Sequence, residues 1–389
     1  MRLIEVQMSP KKVCVVGPSK KFLSGISYYT IRLSNALADR YSVSVICFRN
    51  LLPKFLFPGH KHVGQDLSSL GYDKNVPVLD GMDWNNPLTW YRAYKFLRVG
   101  KPDVIILQWW TSSVAHMHLL ICLINLRIRA RIIIEFHEVV DPFEESVLPI
   151  RVYSRLMGRL LIHMADGYVT HSESDKKLLA EKYQMNADRI QIIPHGLYDQ
   201  YTAIDRMAAR QALGLGSEDH VIMSFGLIRP YKGIPYLVRA FGELPREIAL
   251  QSKLLLVGEI WEDRESVIGA IEACSYKDRI VLLDRYVSDD EVARYFSAAD
   301  VVVLPYLRAS QSGVAHIAMS FGKPVIVSRV GGLQESMADY SGTFFVEPGN
   351  TGAIRDEIIK ILRENPGPFE PPARGWGEIV AKYTQIIER

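Results

Sequence analysis

The stretch Met223-Ser224-Phe225-Gly226-Leu227-Ile228-Arg229-Pro230-Tyr231-Lys232-Gly233 joins the end of an apolar run to a helical pattern that continues through Phe241. A glycine at a strand end, followed by two cations at a helix start, is suited to binding a doubly charged diphosphate. Without an anion, Arg229 and Lys232 would oppose the positive end of the helix dipole. The stretch therefore predicts a strand, a turn and a helix around an anion site that includes Gly226, Arg229 and Lys232.

Short β-branched and apolar runs alternate with helical patterns from one end of the chain to the other. Such alternation is typical of βαβ units and parallel sheets. The runs in the first half are Val13–Val16, Val43–Phe48, Val104–Leu107, Ile132–Phe136, Tyr168–Thr170 and Ile190–Ile193, and those in the second are Val221–Phe225, Leu254–Val257, Ile280–Leu283, Val301–Leu304, Val325–Val327 and Thr343–Val346. Two sets of about six parallel strands predict an α/β protein with two doubly wound, Rossmann-like domains.

The predicted domain boundary lies in the segment Pro194–Ile204, where Pro-His-Gly breaks the last run of the first set and a polar stretch follows. We therefore expect a first domain over residues 1–198 and a second domain over residues 199–372. Residues 373–389 carry a last amphipathic pattern, long enough to pack as a helix.

The composition, 48% hydrophobic and 23% charged over 389 residues, is that of a globular protein. A net charge of +3 excludes a strongly basic nucleic-acid binder, so no nucleic-acid partner is expected. The four cysteines lie far apart in apolar segments, which is typical of core residues in a reducing compartment. No secretory signal is visible, and the longest apolar run, Val114–Leu126, is short of the roughly 18 residues of a membrane span. These features predict a cytoplasmic protein.

Two further segments place a polar helix start after a strand. The first run leads through Gly17-Pro18-Ser19 to Ser24-Gly25-Ile26-Ser27, a turn that lets the backbone approach a ligand. It lacks the Gly-x-Gly-x-x-Gly fingerprint, which argues against a nicotinamide dehydrogenase. Later in the chain, Ser312 is a predicted N-cap, and the amides of Gly313 and Val314 would form a second anion-facing helix terminus.

This ordered set of segments resembles the retaining GT-B glycosyltransferases of family 4, the glycosyl transferases group 1. The resemblance covers nearly the whole chain. Its six motifs are the Gly25 loop, Phe136-His137-Glu138, His171-Ser172-Glu173-Ser174, Ile193-Pro194-His195-Gly196, the Arg229/Lys232 pair and Phe321-Gly322-Lys323-Pro324-Val325. It implies that the second domain binds a nucleoside diphosphate sugar, that the first binds the acceptor, and that the terminal helix crosses back to the first domain.

The resemblance also implies roles for particular residues. Arg229 and Lys232 match the pair that neutralises the leaving diphosphate, and His137 matches the histidine that faces the transferred sugar. Gly25 matches the loop that closes on the donor, and Tyr286-Val287 matches the stretch whose backbone contacts the base. The predicted catalytic residues are His137, Arg229 and Lys232, and the predicted donor-binding residues are Gly25, Gly226, Arg229, Lys232, Tyr286, Val287, Ser312, Gly313 and Val314.

One departure from the family pattern concerns two glutamates that usually stand eight positions apart, one near the sugar and one on the ribose. Counting back from Ala318-Met319, these positions hold Ala309 and Ile317. Neither side chain can accept a hydrogen bond from a hydroxyl group. We therefore expect Ser312, Gly313 and Val314 to hold phosphate and sugar oxygens through a hydroxyl and backbone N–H groups.

A retaining transfer needs no protein nucleophile if the leaving phosphate accepts the acceptor proton on the same face of the sugar. The protein then supplies positioning and charge stabilisation. No Asp-x-Asp motif with a metal-binding context is present, and the Arg229/Lys232 pair makes a divalent ion unnecessary. We therefore expect no metal and no cofactor besides the sugar nucleotide itself.

Three alternatives remain at this point. A GT-B nucleotide-sugar epimerase would share the fold but needs acidic groups that the sequence does not place. A non-catalytic protein that binds nucleotide sugars is suggested by the residues at Ala309 and Ile317. A dehydrogenase is disfavoured by the missing fingerprint.

The acceptor is expected to be a glycan or a polyprenyl-linked sugar, and the protein could rest on the inner face of a membrane. Arg151, Arg155 and Arg159 recur every four residues on a predicted amphipathic helix, beside apolar residues. The stretch Leu51–Phe57 is also basic and apolar. Such clusters favour binding to anionic bilayers, whereas an ordinary solvated helix face is the simpler interpretation of the arginines.

Overall fold

The chain folds into two parallel β-sheets, each flanked by helices. The computed structural model describes residues 9–20, 25–50, 70–140 and 148–389. The predicted loop residue Ser24 and the predicted membrane stretch 51–57 lie outside this part of the chain.

The first sheet has seven strands in the order β3-β2-β1-β4-β5-β6-β7. These are β1 (Lys12–Pro18), β2 (Ser42–Asn50), β3 (Val78–Asp83), β4 (Val104–Trp109), β5 (Arg131–Phe136), β6 (Gly167–Thr170) and β7 (Ile190–Ile192). The helices of this domain are α1 (Gly25–Ala38), α2 (Pro87–Gly100), α3 (Ala115–Ile128), α4 (Leu148–Met164) and α5 (Glu173–Tyr183). Val13 in β1 pairs with Val43 on one side and Val104 on the other, so the sheet changes direction of winding at β1 and β4.

The second sheet has six strands in the order β10-β9-β8-β11-β12-β13. They are β8 (His220–Phe225), β9 (Ser252–Val257), β10 (Ile280–Leu283), β11 (Val301–Leu304), β12 (Val325–Ser328) and β13 (Thr343–Val346). The helices are α6 (Arg206–Ala212), α7 (Ile234–Gly242), α8 (Arg246–Gln251), α9 (Arg264–Glu272), α10 (Asp289–Ala298), α11 (Gly313–Ser320), α12 (Gly331–Met337), α13 (Thr351–Glu364) and α14 (Trp376–Ile387). Both sheets have the strand order of a doubly wound nucleotide-binding fold, which confirms the predicted fold class of two Rossmann-like domains.

The central strands form as predicted because both faces of a parallel sheet are covered by helices, so continuous apolar runs are buried. All four residues of β11 are fully buried, as are residues 104–107 of β4 to within 1%. Each sheet has an apolar core on both faces. The described part of each domain therefore has the three-layer arrangement that the alternating pattern predicts.

The edge strand β3 was not predicted. It contains Asp80 and Gly81, residue types that are disfavoured in strands. Most of its residues are exposed or half-buried, and its register with β2 shifts near Cys47 and Phe48. The polar and glycine residues of β3 therefore leave it without the apolar run that reveals the other strands, including the edge strands β7, β10 and β13.

The terminal helix α14 follows the second domain and packs on the first. Tyr383 and Ile387 are buried in one core with Tyr29 of α1. The Nε1 atom of Trp376 donates to the carbonyl oxygen of Leu197 at 3.0 Å. A Cβ atom at Gly196 would lie 2.8 Å from the Trp376 ring, so the glycine of the Pro-His-Gly segment makes room for this contact. The predicted boundary at residues 198–199 lies between β7 and α6.

Helix α4 carries the predicted arginines, but its arrangement differs from an ordinary amphipathic helix. Its buried face consists of the small residues Ser154 and Gly158 with Leu161 and Ile162. The side chains of Leu148, Val152, Leu156 and Leu160 are exposed, together with Arg155 and Arg159. Arg151 is half-buried. Among the described residues, no helix is both long enough and apolar enough to span a membrane.

Candidate functional site

The candidate site lies at the carboxyl end of the second sheet, between β8 and β11, where the strand order reverses. Ligands of open α/β sheets bind at such a reversal, because the connections diverge there and leave a crevice. Gly226 follows β8 with φ +101°, and a Cβ atom at Gly258 would lie 2.1 Å from the Gly226 carbonyl oxygen. The glycines therefore let two adjacent strand ends meet closely at the edge of the crevice.

Arg229 directly precedes a short 3₁₀ turn, Pro230–Lys232, and Lys232 is its last residue before α7 begins. Gly233 ends that turn with φ +68°, and a Cβ atom there would lie 2.0 Å from the carbonyl oxygen of Pro305. The glycine thus brings the loop after β8 against the loop after β11. The Arg229 guanidinium lies 4.8 Å from the centroid of the Trp261 ring, and its Nε atom lies 3.6 Å from Glu262 Oε1.

The Lys232 ammonium lies 3.8 Å from the centroid of the Tyr306 ring. Burial lowers the pKa of Lys232, while the nearby Tyr231 and Glu138 groups act in the opposite direction. In the part of the chain that the structure describes, no carboxylate lies within ion-pair distance of this ammonium. A cation that packs against aromatic rings and has no ion-pair partner is a good partner for an anionic ligand.

Ser312 caps α11, as predicted. Its Oγ atom accepts a hydrogen bond from Ala315 N at 3.4 Å and lies 3.3 Å from the Tyr306 hydroxyl. Because the hydroxyl is used in this way, the backbone N–H groups of Gly313 and Val314 are the donors that the helix start can offer. Val314 also lies close to Gly226, since a Cβ atom at Gly226 would be 3.1 Å from Val314 Cγ2.

Two tyrosines connect the first domain to this site. Tyr198 packs in the core of the second domain, and its hydroxyl donates a hydrogen bond to the Gly25 carbonyl oxygen at 2.9 Å, at the start of α1. Tyr28 donates to Asp289 Oδ1 at 2.6 Å, at the start of α10. Tyr286 and Val287, predicted to meet the base, directly precede that helix and are half-buried and buried respectively. The structure thus places Gly25 at the same cleft as the second-domain residues.

His137 directly follows β5 of the first domain and is buried in a cluster of histidines. His171 donates through Nδ1 to the carbonyl oxygen of Ile193 at 2.8 Å, so the Nε2 atom of its neutral ring is the acceptor for His137 Nδ1 at 3.0 Å. The ring of His195 lies 5.1 Å from that of His316 of α11, across the domain interface. Burial lowers the pKa of His171 to about 4 and that of His316 to about 3.

Glu135 completes this cluster from within β5. Its Oε1 atom lies 3.6 Å from His171 Nε2 and 3.9 Å from His137 Nε2. Burial raises the pKa of Glu135 to about 7, against hydrogen bonds from Tyr383 and Tyr29 that lower it. A carboxyl group that keeps its proton to neutral pH can face neutral histidines without leaving a buried charge unpaired.

The three histidines His137, His171 and His195 also raise the question of a metal site. One nitrogen atom of each ring lies within 4.8 Å of the corresponding atoms of the other two. A tetrahedral zinc ion with bonds of about 2.0–2.1 Å holds its ligand atoms about 3.4 Å apart. The spacing, and the hydrogen bond that already joins two of the rings, fit a hydrogen-bonded cluster better than a metal centre. The expectation of no metal stays a prediction.

Ala309 and Ile317, at the positions of the missing glutamates, have different surroundings. Ile317 is buried in the apolar core of the second domain. The Ala309 backbone is held against α12, because a Cβ atom at Gly331 would lie 2.5 Å from the Ala309 carbonyl oxygen. The next residue, Ser310, donates to Oε2 of Glu138 in the first domain at 3.2 Å.

Several residues meet at the cleft although no local pattern predicts a role for them. Glu335 of α12 accepts hydrogen bonds from the backbone N atoms of Glu173 and Ser174 at 2.7 and 2.8 Å, so it caps a helix of the other domain. Glu138, His171 and His195 lie in three of the six motifs named above. Their neighbours come from distant parts of the chain, which local patterns do not reveal.

Solved structures with the same two-domain architecture include two that hold bound nucleotides. HepE from Anabaena, solved in complex with UDP, is 17% identical with a TM-score of 0.67, and the match covers 96% of this chain and 95% of HepE. The catalytic domain of starch synthase IV from Arabidopsis thaliana, bound to ADP and acarbose, is 14% identical with a TM-score of 0.68, and the match covers 98% of this chain and 100% of that domain. At these identities the likeness establishes the fold, and the class of protein is therefore GT-B.

The sequence family follows from two family models, one for each domain. Residues 23–200 match the model of Glycosyltransferase Family 4, and residues 205–377 match that of Glycosyl transferases group 1. The chain belongs to the glycosyltransferases of family 4, which confirms the resemblance seen in its motifs.

Among curated relatives, the D-inositol 3-phosphate glycosyltransferase of Stackebrandtia nassauensis is 27% identical over 230 residues, which is 55% of this chain and 50% of the relative. That of Xylanimonas cellulosilytica is 30% identical over 216 residues, with 53% and 50% covered. The chain thus spans about half the length of the curated relatives it matches.

Proposed function

We propose that this protein transfers a hexose from a nucleoside diphosphate sugar to a glycan or lipid-linked acceptor, with retention of anomeric configuration. The observation that carries the proposal is the pair Arg229 and Lys232 at the strand reversal. Lys232 is desolvated against Tyr306 and lies near the N-terminus of α11. A diphosphate would satisfy both cations and the free amides of Gly313 and Val314 together.

In the proposed reaction, the bond from the anomeric carbon to the leaving phosphate oxygen breaks as the bond to the acceptor oxygen forms on the same face. The proton of the acceptor hydroxyl passes to the leaving phosphate. Arg229 and Lys232 stabilise the charge that develops on the diphosphate, and the protein otherwise supplies positioning. No divalent ion is needed for this charge stabilisation.

The proposed acceptor is carried at an anionic membrane surface. Helix α4 supports this part of the proposal, because its side chains Val152, Leu156 and Leu160 are exposed next to Arg155 and Arg159. Apolar and basic groups on one face add insertion to electrostatic attraction at anionic bilayers.

A second candidate is a protein that binds nucleotide sugars without turning them over. The apolar side chains at Ala309 and Ile317 favour it, since the family pattern has carboxylates at these two positions. The two candidates differ in whether nucleoside diphosphate is released from the bound donor when acceptor is present.

The test is a calorimetric and thermal-shift panel of UDP-, GDP- and ADP-sugars on wild type, Arg229→Ala, Lys232→Ala and a control variant. Arg239→Ala is the matched control, because Arg239 is exposed on the neighbouring helix α7. A donor at about 100 times its Kd should stabilise the wild type by about 2.7 kcal/mol. We expect the first two variants to lose at least tenfold in donor affinity and the control to lose none. Equal affinity in all four proteins would contradict the donor site.

A further inference from the structure

The carboxylate of Glu138 lies where two parts of the cleft meet. Glu138 follows β5 by two residues and belongs to the first domain, but it accepts a hydrogen bond from Ser310 of the second domain at 3.2 Å. It also lies close enough to Lys232 to affect the pKa of that ammonium, whose main perturbation is burial. Glu138 therefore contacts the loop after β11 and lies within electrostatic range, though beyond ion-pair distance, of the cation that we assign to the diphosphate.

Close backbone contacts with α12 fix the position of Ser310. A Cβ atom at Gly332 would lie 2.4 Å from the Ser310 carbonyl oxygen and 2.7 Å from Ser172 Oγ of the first domain. The neighbouring Ala309 is held in the same way against Gly331. Adjacent Cα atoms are about 3.8 Å apart, so a carboxylate bound to Ser310 lies beside the position of Ala309.

Ala309 occupies the position at which the family pattern has a carboxylate near the sugar. We propose that Glu138, from the facing domain, supplies the carboxylate that accepts hydrogen bonds from the hydroxyl groups of the donor sugar in place of a side chain at Ala309. This inference rests on the proposed function. It makes the sugar contact depend on closure of the two domains, since the carboxylate and the diphosphate site belong to different sheets.

The charge of Glu138 should affect binding of a sugar nucleotide and of a nucleoside diphosphate in opposite ways. A carboxylate repels a diphosphate but accepts from sugar hydroxyls. Replacing Glu138 by glutamine should therefore weaken binding of a sugar nucleotide, while binding of the nucleoside diphosphate alone should stay the same or become tighter. Purely structural damage would weaken both ligands.

The experiment measures Kd for UDP-glucose and for UDP by calorimetry, or for the GDP or ADP pair if the panel selects one. The proteins are wild type, Glu138→Gln, the control Glu181→Gln and the double variant Glu138→Gln/Ala309→Glu. Glu181 is exposed on α5 of the same domain. We expect Glu138→Gln to lose at least tenfold for the sugar nucleotide only, the control to match wild type, and the double variant to recover most of the loss.

Unchanged sugar-nucleotide affinity in Glu138→Gln, an equal loss for both ligands, or a double variant as weak as the single one would each overturn the inference. In these cases the wild type still binds its donor, and the proposed function stands. If the wild type binds none of the sugar nucleotides, the proposed function fails, and the inference fails with it.

Discussion

Gly313, the first residue of α11, faces the ring of Tyr198. A Cβ atom at Gly313 would lie 3.5 Å from Tyr198 Cζ, an ordinary van der Waals contact. The Tyr198 hydroxyl donates to the Gly25 carbonyl oxygen. Tyr198 therefore links the start of α11 in the second domain to the start of α1. At the scale of single residues, two predicted donor-binding glycines are thus joined by one tyrosine.

We predict that Gly313→Val slows turnover at least tenfold, because the added methyl groups overlap the Tyr198 ring and displace it from Gly25. The measurement is steady-state kinetics with the donor chosen by the sugar-nucleotide panel. Tyr198→Phe serves as the comparison, since it removes the hydroxyl contact alone and should show a smaller loss in the same direction. Normal turnover in Gly313→Val would show that this link is not needed.

The substitution Ser312→Ala distinguishes the effect of this hydroxyl on stability from its effect on donor affinity. Its hydroxyl caps α11 through Ala315 N, so its loss should lower the free energy of unfolding by about 1 kcal/mol. Donor affinity should change less than threefold, because the backbone amides remain. Urea unfolding and calorimetry measure the two effects, and a large affinity loss without a stability loss would assign the hydroxyl to the donor.

At the scale of elements, α4 is the helix whose exposed face differs most from an ordinary solvated surface. It packs through Ser154 and Gly158, and a Cβ atom at Gly158 would lie 2.4 Å from the Tyr183 hydroxyl oxygen. The small residues bring α4 close to α5 and turn its larger apolar side chains outward. Such a face suits an interfacial helix lying in the plane of a membrane surface.

We predict that Val152→Glu and Leu156→Glu abolish cosedimentation with vesicles that contain phosphatidylglycerol at low salt. Each change places a negative charge in the face that would enter the headgroup region. Val99→Glu is the control, because Val99 is 83% exposed at the end of α2, on another helix. An equal effect of all three changes, or no vesicle binding by wild type, would favour an acceptor away from membranes.

At the scale of the whole molecule, the histidine cluster lies where the two domains and the terminal helix meet. His137 and His171 come from the first sheet, His316 comes from α11, and the Tyr29 and Tyr383 hydroxyls lie 3.4 Å apart beside Glu135. Burial lowers the pKa of each of these histidines below its usual range. The interface therefore depends on rings that stay neutral.

We predict that stability falls as the pH is lowered from about 6.5. Below that pH the unfolded chain binds protons that the folded histidines do not, and each such group lowers the free energy of unfolding by up to about 1.4 kcal/mol per pH unit. Glu135 acts oppositely: the folded state keeps its proton up to a pKa of about 7, so its contribution is lost as the pH rises toward that value. Several histidines outweigh one carboxyl group.

Urea unfolding at pH 7.5 and pH 5.5 measures this dependence. His171→Gln should reduce the difference between the two pH values, because it removes one of the titrating groups. His163→Gln is the control, since His163 is exposed on α4. A wild type equally stable at both pH values would contradict neutral burial of the cluster.

The sequence by itself determined the two sets of strands, the cap at Ser312 and the family. These features depend on local patterns: an apolar run with β-branched residues becomes a buried parallel strand, and a hydroxyl before a helical pattern caps it. The edge strand β3 was not predicted because Asp80 and Gly81 interrupt its apolar pattern.

Only the tertiary structure decided which residues meet across the cleft. Glu138 and Ser310 are 172 positions apart in sequence, yet they share a hydrogen bond. Glu335 caps α5, and His316 stacks on His195; both contacts also join residues that are far apart in sequence. No local pattern encodes such pairs, because they arise from the way two separately wound sheets face each other, which is set by the packing of whole domains.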